Sequence, residues 1–471
     1  MIVVSDPHDG AGTAATHHRP TIDVAALVER QKPGGFAIGL IAWCFLIVLI
    51  DGYDQVAVAY SAPALIAAWH TNAAGFGKVF GFGLFGVLVG SLLLGFSGDR
   101  FGRRRTIIYG TLWFGVLTLV SARASSLGEM TLLRFLAGIG MGGVVPNTVA
   151  LVSEYAPKAR RATWITLMFS GFSIGAGGGG AVASWLLPHD GWQVVFVVGG
   201  MAAVAVAIAS FALLPESIRF LIMNGRDPQQ ITRLARRLGA DETANAAARY
   251  VLADESLTRR ASVAALFGNE LRLITPLLWI VFVLNSLALH FLQNWLPILL
   301  SMSHLEPVRA AQVAMMFPVG GTVGALALSR CVDRYGMAVV LTLAVLGCPI
   351  AASLGMSMPV ALLFAAVFAS GVCVIGTQFG LYAVAGIVYP TTLRSAGVGS
   401  AIGVGKLGSV AGSMLGGVLL AMHLPPGRLF VNVSAVFVFI ALFSALLARS
   451  QRRHPPRSPR AVAEQPAQTS P

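Results

Sequence analysis

Long apolar runs separated by short polar segments make up most of the chain between residues 36 and 448. A bilayer core about 30 Å thick requires about 20 apolar residues per helix. Twelve runs approach that length, at 36–58, 74–97, 105–122, 127–150, 162–186, 192–214, 273–297, 310–330, 338–356, 359–388, 397–420 and 429–448. The pattern predicts an all-α membrane protein with twelve transmembrane helices.

The longest polar stretch, 215–272, divides the predicted helices six plus six. A shift of 234 residues superposes segments of the two halves: DRFG at 99–102 on DRYG at 333–336, Tyr155 on Tyr389, and Arg160 on Arg394. Because an even number of helices separates the copies, the repeat is parallel in the membrane, as in two-bundle alternating-access transporters. We therefore expect six-helix bundles at 36–214 and 273–448, joined by a cytoplasmic loop at 215–272.

Charged residues are few and follow the topology of such a protein. Only 11% of the residues are charged, too few to cover a water-soluble fold of 471 residues. With the N-terminus inside, 27 of the 33 Lys and Arg residues fall in inner segments, which agrees with the positive-inside rule and disfavours nucleic-acid binding despite a net charge of +13. We expect a bacterial inner membrane and two cytoplasmic tails: 1–35, predicted to be disordered, and 449–471, a basic tail at the membrane surface.

Residue types typical of active sites and metal sites do not occur at the spacings that such sites require. The four cysteines have no C-x-x-C spacing and the nine histidines no ligand spacing, so we expect no metal and no cofactor. No nucleophile, base and orienting group occur at a plausible spacing, and no G-x-x-x-x-G-K-[ST] motif is present. These patterns disfavour an enzyme and an ATP-driven pump.

Two acidic residues lie well inside a predicted membrane helix. Asp51 and Asp54, at i and i+3 of the first run, share one helix face. Each costs roughly 2.5–3.5 kcal/mol at mid-bilayer if charged and unpaired, so they should face an aqueous cavity. Burial and like charge favour the protonated form and a nearby cation favours the carboxylate, which is what proton coupling requires. The alternative is a first helix that ends early and leaves both acids in an outer loop.

Two cations also fall within predicted helices, one in each half. Arg134 lies at a depth comparable to that of Asp54, and its guanidinium suits a salt bridge or an organic carboxylate. Lys406 offers a second cation from the eleventh helix. The alternative for both is that the side chain extends to the headgroups.

Polar and aromatic side chains in the seventh helix suggest a substrate site between the halves. The neutral candidates for substrate binding are Tyr53, His290, Asn294, Trp295 and Tyr382. Their rings could stack on an aromatic ligand. The alternative is an interfacial aromatic belt or hydrogen bonding between helices.

The motif GxxxDRxGRR at 95–104 and its weaker copy DRxG at 333–336, together with the twelve-helix pattern, resemble the major facilitator superfamily. Further motifs resemble its aromatic acid:proton symporter family, which includes benzoate and 4-hydroxybenzoate transporters. They are DGYD at 51–54, Arg134 followed by Pro146 and Asn147, EYxPxxR at 154–160, NWLP at 294–297 and YPxxxR at 389–394. The chain departs from the family pattern at Lys406, where Arg is usual, and at Ser413, where Pro is usual.

The resemblance implies proton-coupled uptake through Asp51 and Asp54, and conformational gating by the loops between helices. The residues assigned to the gating loops are Asp99, Arg100, Gly102, Arg103, Arg104, Glu154, Arg160, Asp333, Arg334 and Arg394. Charged groups of this kind could pair across the two bundles and lock the transporter in the outward-open or the inward-open state.

The sequence therefore predicts a secondary transporter that imports an aromatic carboxylate of the 4-hydroxybenzoate, protocatechuate or benzoate class together with protons. Its expected partners are the substrate, protons and the lipid bilayer, with no obligatory protein partner. A proton-antiport exporter of drugs or metabolites with the same fold is the main alternative. A membrane-embedded sensor is disfavoured because 215–272 is too short and too charged for an output domain.

Overall fold

The computed structural model describes residues 21–31, 34–225, 227–240, 248–252, 263–268, 271–303, 305–390 and 393–453. Within these ranges the chain is almost entirely helical. The N-terminal half contains β1 (Thr21–Asp23), α1 (Val24–Arg30), α2 (Gly35–Trp69), α3 (Phe76–Leu93), α4 (Ser97–Phe101), α5 (Arg103–Ser121), α6 (Leu127–Tyr155), α7 (Arg161–Asp190) and α8 (Gln193–Leu213). The remainder contains α9 (Ile218–Met223), α10 (Pro228–Arg237), β2 (Arg249–Val251), α11 (Ile274–Met302), α12 (Pro307–Ala314), α13 (Met316–Tyr335), α14 (Met337–Ser353), α15 (Val360–Val388), α16 (Arg394–Ala421) and α17 (Pro426–Arg453).

Ten helices of the described chain are long and apolar enough to cross a membrane, so the protein is a multi-pass membrane protein. Two further predicted spans coincide with α5 and α14. The first turn of α5 carries three consecutive arginines, and α14 has only 17 residues. Both helices therefore fall short of an uninterrupted apolar span of about 20 residues.

The internal repeat found in the sequence is also present in the helices. The starts of α5, α6, α7 and α8 precede those of α14, α15, α16 and α17 by 233 or 234 residues. Equivalent helices make equivalent contacts, since α2 packs on α7 and α3 on α6, while α11 packs on α16 and α13 on α15. Glycines at equivalent positions, Gly102 and Gly336, adopt φ angles of 101° and 52°, which turn the chain sharply before α5 and α14.

The two halves meet through α3 with α16, α2 with α11, and α7 with α12 and α13. The closest contacts lie at the end of the molecule that carries His70, hereafter the His70 end; the opposite end carries Asp99. A Cβ atom at Gly77 would lie 2.9 Å from Cα of Gly417. The rings of Phe80 and Trp295 meet edge to face, 5.5 Å apart. The halves are therefore tightly packed at the His70 end.

Part of the N-terminal segment predicted to be disordered is folded. β1 pairs in parallel with β2, with Ile22 opposite Tyr250. Val24 and Val28 of α1 are buried and belong to the same apolar cluster as residues of α9 and α10. Sequence periodicity does not indicate this because α1 has only seven residues and is preceded by a polar stretch. Residues 1–20 lie outside the described part of the chain.

Candidate functional site

A buried ion pair joins the first and fourth long helices of the N-terminal half. Nη1 of Arg134, in α6, lies 3.2 Å from Oδ2 and 3.3 Å from Oδ1 of Asp54, in α2. Asp54 is 1% exposed and Arg134 is 6% exposed. Arg134 is thus buried between helices and does not extend toward the headgroups. A buried charge is strongly destabilising unless it is paired, so each of the two side chains compensates the charge of the other.

Two hydroxyl groups complete the network around this pair. Thr118 donates to Oδ1 of Asp54 at 2.6 Å and accepts from Nη2 of Arg134 at 3.0 Å. Nη2 also donates to Ser121 at 2.9 Å, and the guanidinium lies 5.6 Å from the ring centre of Phe196. Nε of Arg134 has no acceptor among the described residues. The guanidinium is therefore held in place by neutral groups as well as by Asp54, and its Nε–H group is the donor that has no acceptor among the described residues.

The second acid of the first helix faces the other half of the molecule. Asp51 is 3% exposed, and its Oδ1 has no hydrogen-bond partner within the described chain. Lys406 of α16 interacts electrostatically with Asp51 across the interface, although the two form no direct ion pair. Gly405, next to Lys406, packs against α11, where a Cβ atom would lie 3.3 Å from Oγ of Ser286. Asp54 and Arg134 are therefore in direct contact, whereas Asp51 and Lys406 influence each other only through their charges.

A cavity borders the ion pair. Its polar lining consists of Asp54, Arg134 and two amide side chains, Gln55 from α2 and Asn294 from α11. The remaining lining is apolar or glycine: Val58, Val79, Phe80, Gly83, Leu84, Val87, Gly138 and Met141. The free volume of the cavity is about 40 Å³, far below the roughly 300 Å³ or more of a small-molecule site. An aromatic acid therefore requires the two halves to move apart before it can bind beside Arg134.

The other residues predicted to bind substrate lie in different surroundings. Tyr53 points away from the cavity, donating to the carbonyl oxygen of Val195 at 2.8 Å. Trp295 is fully buried and donates to the carbonyl oxygen of Ser413 at 2.9 Å, so it packs the interface of the halves. The structure does not bring either ring to the cavity lining.

His290 and Tyr382 belong to a polar group within the C-terminal half. Nδ1 of His290 lies 2.9 Å from the carbonyl oxygen of Ser286, and the ring of Tyr382 lies 5.8 Å from that of Phe282. Asn285, the repeat partner of Asp51, donates to Oε1 of Gln378 at 2.7 Å. This group connects α11 to α15 and does not line the cavity beside Arg134.

Several residues of the site are not indicated by the sequence. Thr118 and Ser121 of α5 look like ordinary small polar residues in an apolar run, and only their spacing of three residues places them on one helix face. Gln55 directly follows Asp54, and its position beside two acids was the signal that could have identified it. Met141 and Gly83 carry no signal, since apolar residues and glycines fill every membrane helix of this chain.

The loop between α3 and α5 forms an ionic group at the Asp99 end. Arg103 lies 2.8 Å from Glu154, at the end of α6, and 3.3 Å from Asp99. Glu154 also accepts a hydrogen bond from Ser217, which precedes α9. The backbone nitrogen of Arg104 donates to Glu216 at 3.0 Å. These contacts tie three inter-helix segments of the N-terminal half together.

The ion pairs that the described residues form here all lie within one half. Pairing across the two bundles stays a prediction. Gly102 is required here because it has positive φ and because Glu216 leaves no room for a Cβ atom. Arg100, Arg160 and Arg334 are exposed, and the guanidinium of Arg100 lies over the ring of Phe101. The side chains of Asp333 and Arg394 lie outside the described part of the structure.

Comparison with known proteins agrees with this architecture. Residues 44–382 match the model of the Major Facilitator Superfamily. The chain is 34% identical over 434 residues to a gallate transporter of Pseudomonas putida, covering 92% of this chain and 96% of that protein. It is 32% identical over 404 residues to the 4-hydroxybenzoate transporter PcaK of Pseudomonas putida, covering 85% and 90%.

A solved structure of a bacterial homologue of the human lysosomal transporter Spinster, inward-facing and unoccupied, has the same fold. It matches with a TM-score of 0.67 at 16% identity, covering 91% of this chain and all of that one. The protein is a transporter and not an enzyme, as the sequence predicts. The chain belongs to the Major Facilitator Superfamily.

Proposed function

We propose that the protein is a proton-coupled transporter that imports an aromatic carboxylate across the inner membrane of a bacterium, with both termini in the cytoplasm. The observation that carries the proposal is the buried Asp54–Arg134 pair at the edge of an apolar cavity. The names of the relatives, a gallate transporter and a 4-hydroxybenzoate transporter, support the substrate class. The excess of basic residues in the inner segments supports the orientation.

The pair supplies a mechanism for coupling. In the structure the guanidinium of Arg134 is neutralised by Asp54. A proton on Asp54 removes that negative charge, and the guanidinium then attracts a substrate carboxylate, which it binds as a planar two-pronged donor. Proton and substrate replace the Asp54 charge together, so the loaded site has the same net charge as the empty one. One proton per monoanion makes this exchange electroneutral at the site.

The second acid and cation extend this coupling to the interface of the halves. Asp51 and Lys406 lie on opposite halves and attract each other through their charges without a direct ion pair. Protonation of Asp51 removes that attraction. In the proposed mechanism, the protonation of the two acids is therefore coupled to the relative position of the halves. The ionic group around Arg103 and Glu154 holds the Asp99 end of the first half together during the movement.

The test is uptake of labelled aromatic acids into cells that express the full chain, with and without a protonophore. The panel is benzoate, 4-hydroxybenzoate, protocatechuate and gallate. We expect saturable accumulation of at least one acid that the protonophore abolishes, and loss of accumulation in Asp51→Asn and Asp54→Asn. Asp190→Asn is the matched control, because Asp190 is an exposed acid at the end of α7.

Two results contradict the proposal. Protonophore-sensitive loss of preloaded compound, with no uptake of any acid, identifies an exporter with the same fold. Accumulation that persists unchanged in Asp54→Asn, at equal amounts of protein in the membrane, removes Asp54 from the coupling.

A further inference from the structure

An aromatic ring of α8 lies against the guanidinium of Arg134. Cζ of Arg134 is 5.6 Å from the ring centre of Phe196, within the distance of about 6 Å over which the negative face of a ring attracts a cation. Phe196 is fully buried, so water does not screen this attraction. The ring does not line the cavity. It can therefore act on a bound substrate only through Arg134.

The ring of Phe196 is itself fixed by contacts between α8 and α2. Trp192, which directly precedes α8, meets Phe196 edge to face with ring centres 5.9 Å apart. Trp69, the last residue of α2, meets Trp192 in the same way at 5.4 Å. The carbonyl oxygen of Val195 accepts from the Tyr53 hydroxyl at 2.8 Å. All of these groups are neutral, so the position of the ring does not depend on the protonation of the ion pair.

We propose that Phe196 is a positioning residue for transport, whose ring keeps the guanidinium of Arg134 beside the cavity while Asp54 is protonated and no substrate is bound. This inference rests on the proposed function, in which Arg134 binds the substrate carboxylate. In that interval no anion compensates the guanidinium, and a long cationic side chain in a membrane helix is drawn toward the headgroups. Thr118 and Ser121 each accept from Nη2 alone, whereas the ring attracts the delocalised charge of the whole guanidinium. The cation is therefore in place when the substrate arrives.

The first test weakens the attraction of the ring with little change in its shape. Phenylalanine analogues that carry one or three fluorine atoms are incorporated at position 196, because fluorine withdraws electron density from the face of the ring. Phe196→Leu removes the ring face altogether. The uptake KM should rise in the order of one fluorine, three fluorines and leucine, and by about 5- to 30-fold in Phe196→Leu, the change in binding that a desolvated cation–π contact supplies. The maximum rate should stay within about twofold, because the bound carboxylate itself pairs with the guanidinium.

Phe437 of α17 provides the matched control. It is 1% exposed, and within the described chain no cation lies over its ring. The same fluorinated analogues at position 437 should leave the KM within about twofold. A KM that rises in Phe196→Leu but not in either fluorinated protein shows that Phe196 acts through its volume alone, which overturns the inference and leaves the proposed function standing.

The second test does not depend on transport. The unfolding temperature of the purified protein is measured in detergent micelles, with phenylalanine or its trifluorinated analogue at position 196. The analogue should lower the unfolding temperature of the wild type, and lower it further in Asp54→Asn, where the guanidinium has only neutral partners. In Arg134→Met it should have no effect, because no cation lies over the ring. Equal shifts in the three proteins overturn the inference. Absence of uptake of every acid of the panel overturns the proposed function itself, whatever the shifts are.

Discussion

Removing one charge of the Asp54–Arg134 pair should destabilise the protein more than removing both. In Asp54→Asn the guanidinium stays buried, and arginine cannot lose its proton to escape. Breaking a buried pair by removing one partner costs about 3–5 kcal/mol, because it leaves an uncompensated charge. Thr118 and Ser121 still accept from Arg134, so the loss should fall near the lower end of that range.

Arg134→Met should destabilise the protein by a comparable amount. The carboxylate of Asp54 then keeps only the hydrogen bond from Thr118, and its buried charge is left without a cation. Removing both charges together leaves neither group uncompensated.

The assay is the free energy of unfolding of the purified protein in detergent micelles, measured by titration with a denaturing detergent. Wild type, the two single variants and Asp54→Asn with Arg134→Met form a double-mutant cycle. The double variant should be about 3 kcal/mol more stable than the sum of the single changes implies. Additivity within about 0.5 kcal/mol refutes the claim that the two charges compensate each other.

Two further predictions concern neighbouring contacts. Thr118→Val should lower the free energy of unfolding by about 1–3 kcal/mol, because it removes a buried hydroxyl that hydrogen-bonds to both Asp54 and Arg134. Thr111→Val, on the same helix, should be near neutral, because the Thr111 hydroxyl is buried without a partner among the described residues. Equal losses of stability in the two variants contradict this reasoning. Both carboxylate oxygens of Glu29 lie 3.1 Å from the backbone nitrogen of Lys158. Glu29→Ala should therefore increase hydrogen exchange of the Lys158 amide about fivefold, whereas Glu29→Gln should not. Unchanged exchange in the alanine variant shows that Glu29 does not protect this amide.

The fold could be predicted largely from the apolar runs. The run predicted at 127–150 became α6, which ends at Tyr155, and the run at 359–388 became α15, which begins at Val360. The helix length is imposed by the bilayer, so a run of about 20 apolar residues has few other structures available. The segment at 21–30 could not be predicted in this way, because its structure depends on the pairing of β1 with β2, more than 200 residues away in sequence, and not on its own periodicity.

The candidate site was less predictable because membrane helices are apolar on every side. In a soluble protein the apolar face of a helix points inward, but lipid accepts the same residues as the core does. Tyr53 and Asp54 are adjacent in sequence, yet Tyr53 bonds to Val195 and Asp54 to Arg134. Charges are the exception, because each is so costly in the membrane that two at similar depth are expected to pair. This is why Arg134 could be singled out, whereas Met141 and Gly83 could not.

The cost of separating Asp54 from Arg134 also bears on the tightness of coupling. If neutralising Asp54 alone costs about 3 kcal/mol, the protonated site without substrate is roughly 150-fold less populated than it otherwise is. A substrate carboxylate on Arg134 restores the missing negative charge and removes that penalty. Thr118 and Ser121 contact the guanidinium in either state, so Arg134 need not reorient when one anion replaces the other. On the proposed function, the buried pair therefore suppresses movement of protons without substrate, and the neutral hydroxyls allow the exchange of anions to proceed without rearranging the site.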